Sequence, residues 1–184
     1  MVNKLVKCGL AGGIILFIWG AFFWKILPWH VCQRNHFTDE SEVAKAIKNN
    51  APVSGMYVLP NLHTAGSADE MMKAQTKMQE GPYVFAAVAL KGRNANIVRT
   101  MAQSFVFKVI IAGFVAWLLL QTQRLGYKGS VKFVTVAGVA LALAATIPYC
   151  IWFGFSGAFV FCHIIEMIIG WLFAGLAMAK LAMK

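Results

Sequence analysis

A chain of 184 residues with 59% hydrophobic and only 13% charged side chains, and a mean hydropathy of +0.65, is too apolar for an ordinary soluble domain. Its net charge of +10 is not the footprint of a nucleic-acid-binding protein, because the basic residues lie mostly at the ends of apolar runs and no Lys/Arg-rich helix with interleaved aromatics occurs. The acids are segregated too: all except Glu166 fall within residues 39–80.

The first apolar run, residues 8–27, has the length of about 20 residues that a bilayer core of about 30 Å requires. It continues into the bulky Phe22, Phe23 and Trp24 rather than into small residues, so a retained helix is expected instead of a cleaved leader. Lys7 directly before Cys8 argues against a lipid-modified cysteine. Trp19, Trp24, Lys25 and Trp29 serve in this reading as boundary anchors, and Pro28 as the stop.

Residues 28–103 turn polar. Asp39 with Glu42 three positions later opens a helix to about Asn50, and Ser67 with Glu70 opens another to about Gln79, each a capping-box signature. Residues 53–59 (VSGMYVL) and 83–90 (YVFAAVAL) are rich in strand formers and bounded by Pro60 and by Gly81–Pro82. A helix, strand, helix, strand order permits a parallel strand pair, and two strands alone make a marginal sheet that must lean on something else.

Three further runs follow at residues 104–121, 131–153 and 156–179. The expected class is membrane α-helical: a bundle of four transmembrane helices with a small α/β extracytoplasmic domain inserted between helices 1 and 2. An inward N-terminus places Lys4, Lys7, Arg124, Lys128, Lys132, Lys180 and Lys184 on the cytoplasmic side with no acid among them, as the positive-inside rule asks. Both termini are therefore expected to be cytoplasmic and residues 28–103 extracytoplasmic. The layout resembles that of small four-helix bacterial membrane proteins, which implies a bacterial inner membrane.

Inside lipid, helix association depends on close backbone approach at small residues. Gly9 with Gly13, Ala112 with Ala116, Gly138 with Ala142 and Gly170 with Ala174 supply that spacing on each of the four runs and are read as packing positions.

Glu166 is the most informative single residue, since an acid about ten positions into an apolar helix is costly unless it faces a bundle interior, a partner or a pathway. His163 shares its helical face. Lys108, about a turn inside the second run and entering from the same side, is placed to reach Glu166, so a Lys108–Glu166 ion pair with His163 beside it is expected. A register-fixing pair is favoured over a proton or ion relay, because one acid and one histidine give a relay no continuation. Pigment or haem ligation by His163 is the remoter alternative. His30, Cys32 and His36 mix nitrogen and sulfur donors that suit copper or zinc, although their spacing fits no zinc pattern. Cys8, Cys32, Cys150 and Cys162 contain no C-x-x-C pair for thiol redox chemistry.

With no P-loop, Rossmann glycines, G-x-S-x-G elbow or H-E-x-x-H helix, no enzymatic activity and no resident cofactor are expected. The leading expectation is an accessory or assembly subunit that meets the bilayer and a membrane-protein partner but no nucleic acid. A small ion- or proton-coupled carrier using Lys108, His163 and Glu166 is the alternative, and a metal-handling or thiol-redox membrane protein the third.

Overall fold

The computed structural model describes residues 2–28, 35–61, 66–94, 96–122 and 125–183. In chain order these form α1 (Val2–Ile26), α2 (Glu40–Asn50), β1 (Gly55–Leu59), α3 (Ala68–Glu80), β2 (Val84–Val88), α4 (Ile97–Gln121), α5 (Tyr127–Phe153) and α6 (Gly157–Met183). They divide into two units, one of residues 1–34 and 96–184 and one of residues 35–95.

The first unit consists of α1, α4, α5 and α6, each long and apolar enough to cross a membrane. At 1.5 Å per residue they run about 38–40 Å, beyond the ~30 Å of a hydrocarbon core. Their ends are set by local polar groups rather than by hydropathy. Asn96 caps α4 by accepting from the Arg99 N–H at 3.0 Å, and Ser156 accepts from the Phe159 N–H at 3.2 Å. Gly154, in the left-handed region at φ 68°, ends α5, where its N–H returns to the Tyr149 carbonyl. Hydropathy windows see only the apolar middle of such helices. Accordingly α1 begins at Val2 rather than at 8, α4 at Ile97 rather than at 104 and α5 at Tyr127 rather than at 131, while α6 runs to Met183 rather than to 179. Residues 97–103, grouped with the polar segment in the sequence reading, are thus helical and belong to α4.

Within this unit α1 lies between α4 and α6, and α5 packs along the other side of α6; α4 makes only slight contact with α5 and α6. Small residues explain why the first interfaces are close. A Cβ on Gly9 would stand 3.1 Å from the Gly113 Cα, and one on Gly13 only 2.6 Å from the Val109 Cα, so α1 and α4 touch backbone to backbone. Gly12 makes room for the Met178 thioether and Ala112, Gly138 seats the indole of Trp171, and Ala142 and Ala174 are fully buried. The core therefore fills with Cys8, Ala112, Ala116, Val134, Trp171, Ala174 and Met178. Most of these come from the half of the unit holding the N-terminal part of α1 and the C-terminal part of α6.

The second unit contains the two capped helices and the sheet. Asp39 accepts from the Glu42 N–H at 2.9 Å and Ser67 from the Glu70 N–H at 3.3 Å, while Glu70 reaches back to the Gly66 N–H at 2.7 Å. The strands pair antiparallel, with Gly55 opposite Val88 and Leu59 opposite Val84, which corrects the parallel pair that the element order permitted. Parallel strands need cover on both faces, and here β1 and β2 are at most half-buried, so the antiparallel ladder with its straighter hydrogen bonds is the stable choice. Neither α2 nor α3 buries a single residue.

Candidate functional site

The slack between α4 and its neighbours opens into a cleft of about 600 Å³ in the first unit, at the end holding the C-terminal part of α1 and the N-terminal parts of α4 and α6. Its walls are mainly apolar, with Phe17 and Trp19 of α1, Ile97, Met101 and Ile111 of α4, Leu141 and Ala145 of α5, and Met167 and Trp171 of α6. Into this apolar space project Lys108, His163 and Glu166. The three residues singled out from the sequence thus share one cavity.

Glu166 is held from two sides. It is only 7% exposed, and its Oε2 accepts from the indole N–H of Trp24 at 3.3 Å. The indole N–H of Trp19 donates at 2.8 Å to the main-chain carbonyl of the same residue. That approach depends on Gly170, one turn along α6, where a Cβ would stand 2.8 Å from the Trp19 ring. Trp19 and Trp24, read from sequence as boundary anchors, are also hydrogen-bond partners of the buried acid. His163 brings Nδ1 to 3.1 Å from Oε2, in the i, i+3 relation expected. The imidazole nitrogen makes no aligned hydrogen bond although it is buried, while about a third of the side chain stays exposed (34%). Its ring stacks on Phe159 with centroids 6.3 Å apart and an interplanar angle of 12°.

Lys108 does not complete the direct ion pair expected with Glu166. Its ammonium donates to the Leu16 carbonyl of α1 at 2.9 Å, and the contact at ion-pair distance to Glu166, among the described residues, is that of His163. The reason is that α1 lies between α4 and α6, so the two heads meet across Gly20. A Cβ at that position would overlap the Lys108 Nζ and stand 3.2 Å from Glu166 Oε1. The charges are therefore close neighbours, separated by about the space of a missing methyl group. Gly20 was missed by sequence reasoning, although Gly9, Gly13, Leu16, Gly20 and Phe23 repeat at helical spacing along one buried face of α1.

The arrangement can do two things. It offers spare donors on Lys108 and a spare acceptor on Glu166 Oε1 to a polar group entering the cleft. It also gives that group's apolar remainder a lined space of the size small-molecule sites have, about 300–1,000 Å³.

The other expected sites are less assembled. His30 and Cys32 lie outside the described residues, and His36 is exposed near the start of the second unit. Among the described residues no three His, Cys, Asp or Glu side chains come together as a metal site. Cys8, Cys150 and Cys162 are free, and the buried Cys8 thiol donates to the Met178 carbonyl at 3.7 Å. The packing residues Gly9, Gly13, Gly138, Ala142, Gly170 and Ala174 all lie on helix contacts or in the core. Comparison with protein-family models, with curated proteins and with solved structures finds no match to this chain.

Proposed function

We propose that this is a four-span integral membrane protein that binds a membrane-resident amphiphile in the cleft beside α4. The single observation carrying this reading is the cleft itself: an apolar cavity of about 600 Å³ with Lys108, His163 and Glu166 opening into it. Charged groups at membrane depth are expensive, and they persist where they face one another, a partner or a bound ligand. Binding is preferred to conduction because the opposite half of the bundle is filled by Cys8, Ala112, Ala116, Ala174 and Met178. The chemistry asked of the protein is recognition, with no reaction step.

In this proposal both termini are cytoplasmic, the unit of residues 35–95 is extracytoplasmic, and the membrane is a bacterial inner membrane. In a chain whose four native cysteines are replaced by alanine, an impermeant thiol reagent then labels a cysteine placed at Ser41 in intact cells and one placed at Lys180 only after permeabilisation. The binding reading is tested by purifying the full chain in a mild detergent and identifying retained lipid by mass spectrometry. A cleft-filling variant, Ala145→Trp, should carry less. Retention unaffected by filling the cleft refutes the reading.

A second reading, an accessory or assembly subunit, is favoured by a different observation. The helices α2 and α3 bury no residue, and Met71 and Met72 are exposed on α3, so this unit has a surface that a partner protein would cover. Co-purification of a stoichiometric membrane partner that is lost on Met71→Glu with Met72→Glu supports it, and its persistence in that variant refutes it.

A further inference from the structure

The charges around the cleft select among amphiphiles, an inference that rests on the binding reading above. Lys108 of α4 and Glu166 of α6 face the same space from opposite sides of Gly20 without closing on each other. Trp24 engages Oε2 of Glu166, so Oε1, the oxygen on the Gly20 side, keeps acceptor capacity. On the α4 wall Ser104 precedes Lys108 by one turn, and both residues line the cleft.

These positions separate zwitterionic heads from singly charged and uncharged ones by electrostatics. A purely anionic head drawn to Lys108 meets the Glu166 carboxylate almost as closely. A purely cationic head drawn to Glu166 meets the Lys108 ammonium. An uncharged apolar molecule strips water from both charges and compensates neither. A head carrying an anion and a protonated amine a few bonds apart satisfies both at once, with charge complementarity over the whole gap.

We propose that the cleft is a site for an aminophospholipid, with the phosphate on Lys108 and Ser104 and the primary ammonium on Glu166 Oε1. One acyl chain lies among Phe17, Ile111, Leu141 and Met167. Gly20 is the residue that makes the site possible, since a side chain there would occupy the gap the head bridges.

The test uses the full chain in a maltoside detergent, titrated with short-chain phospholipids that share acyl chains and differ in head: ethanolamine, choline and glycerol. Binding is read by tryptophan fluorescence and by thermal shift. The ethanolamine lipid should bind about tenfold or more tighter than the choline lipid, because a quaternary ammonium cannot donate the charge-assisted hydrogen bond to Glu166. It should also outbind the anionic glycerol lipid. Glu166→Gln should bring the ethanolamine lipid down to the affinity of the choline lipid, and Lys108→Met should weaken all three. Equal binding of ethanolamine and choline lipids to the unaltered protein overturns the head assignment, as does tighter binding of the glycerol lipid. That comparison needs no variant, so misfolding of a substituted chain cannot obscure it. Binding of none of the three lipids, with none retained from the cell, instead overturns the amphiphile-binding reading on which this inference rests.

Discussion

Two glycines on one face of α1 should respond unequally to the same added methyl group. In Gly13→Ala the new Cβ stands 2.6 Å from the Val109 Cα and 2.9 Å from its N, both backbone atoms that no rotamer change can move. Relief requires α1 and α4 to separate by roughly 1 Å, which weakens the surrounding van der Waals contacts at Gly9–Gly113 and Gly12–Ala112. Overpacking costs about 1–3 kcal/mol, and immovable backbone puts this case near the upper end. Helix propensity returns about 1 kcal/mol, leaving a net loss of about 2 kcal/mol. In Gly20→Ala the obstructing atom is the Lys108 ammonium, the free end of a flexible chain. It swings aside, giving up its bond to the Leu16 carbonyl, and the propensity gain leaves stability within about 1 kcal/mol of the original. Thermal unfolding followed by helical circular dichroism in detergent should show Gly13→Ala lowered by about 4–8 °C and Gly20→Ala within about 4 °C. Equal losses, or a larger loss at Gly20, would refute the reasoning that α1 meets α4 through backbone at one level and through a side-chain tip at the other.

Other outcomes follow from single contacts. Gly138→Ala drives a methyl group into the indole of the buried Trp171 and should cost about 1–3 kcal/mol, with a changed near-ultraviolet tryptophan signal. Glu166→Leu removes the carboxylate that accepts from Trp24 and should lower stability by about 1–3 kcal/mol, whereas Glu166→Gln retains an acceptor and should lose less; the two thermal midpoints decide. Asp39 is held below the ordinary carboxylate range, chiefly by the Glu42 N–H and further by the Ser41 hydroxyl. Because its folded value is depressed, the stability it lends the start of α2 is present above the ordinary value of about 4 and is lost as pH falls through the folded value. Hydrogen-exchange protection of the Glu42 amide should therefore decline on acidification, and Asp39→Asn should flatten that dependence. The Cys8 thiol, fully buried beside the Met178 carbonyl, should resist maleimide in the folded protein and react on unfolding; early labelling would contradict the packing of α1 against α6.

Local rules written in the sequence accounted for much of what the structure contains. Runs of apolar residues mark the four long helices, because helix length and side-chain transfer energy are properties of contiguous residues. The caps at Asp39 and Ser67 were likewise legible, since each joins atoms three residues apart. His163 and Glu166 could be placed together because three positions on one helix are neighbours. Long-range geometry was not legible in the same way. Which helix stands between α4 and α6 depends on the fit of Gly9, Gly12 and Gly13 against particular partners, and with α1 in that place Lys108 faces Glu166 across Gly20 instead of bonding to it. The turn of Trp19 and Trp24 onto Glu166 and the cleft beside α4 have the same origin, and the antiparallel sheet likewise joins residues far apart in the chain. Sequence spacing specifies which faces are apolar or polar, while the pairing of those faces is chosen by packing between residues far apart in the chain.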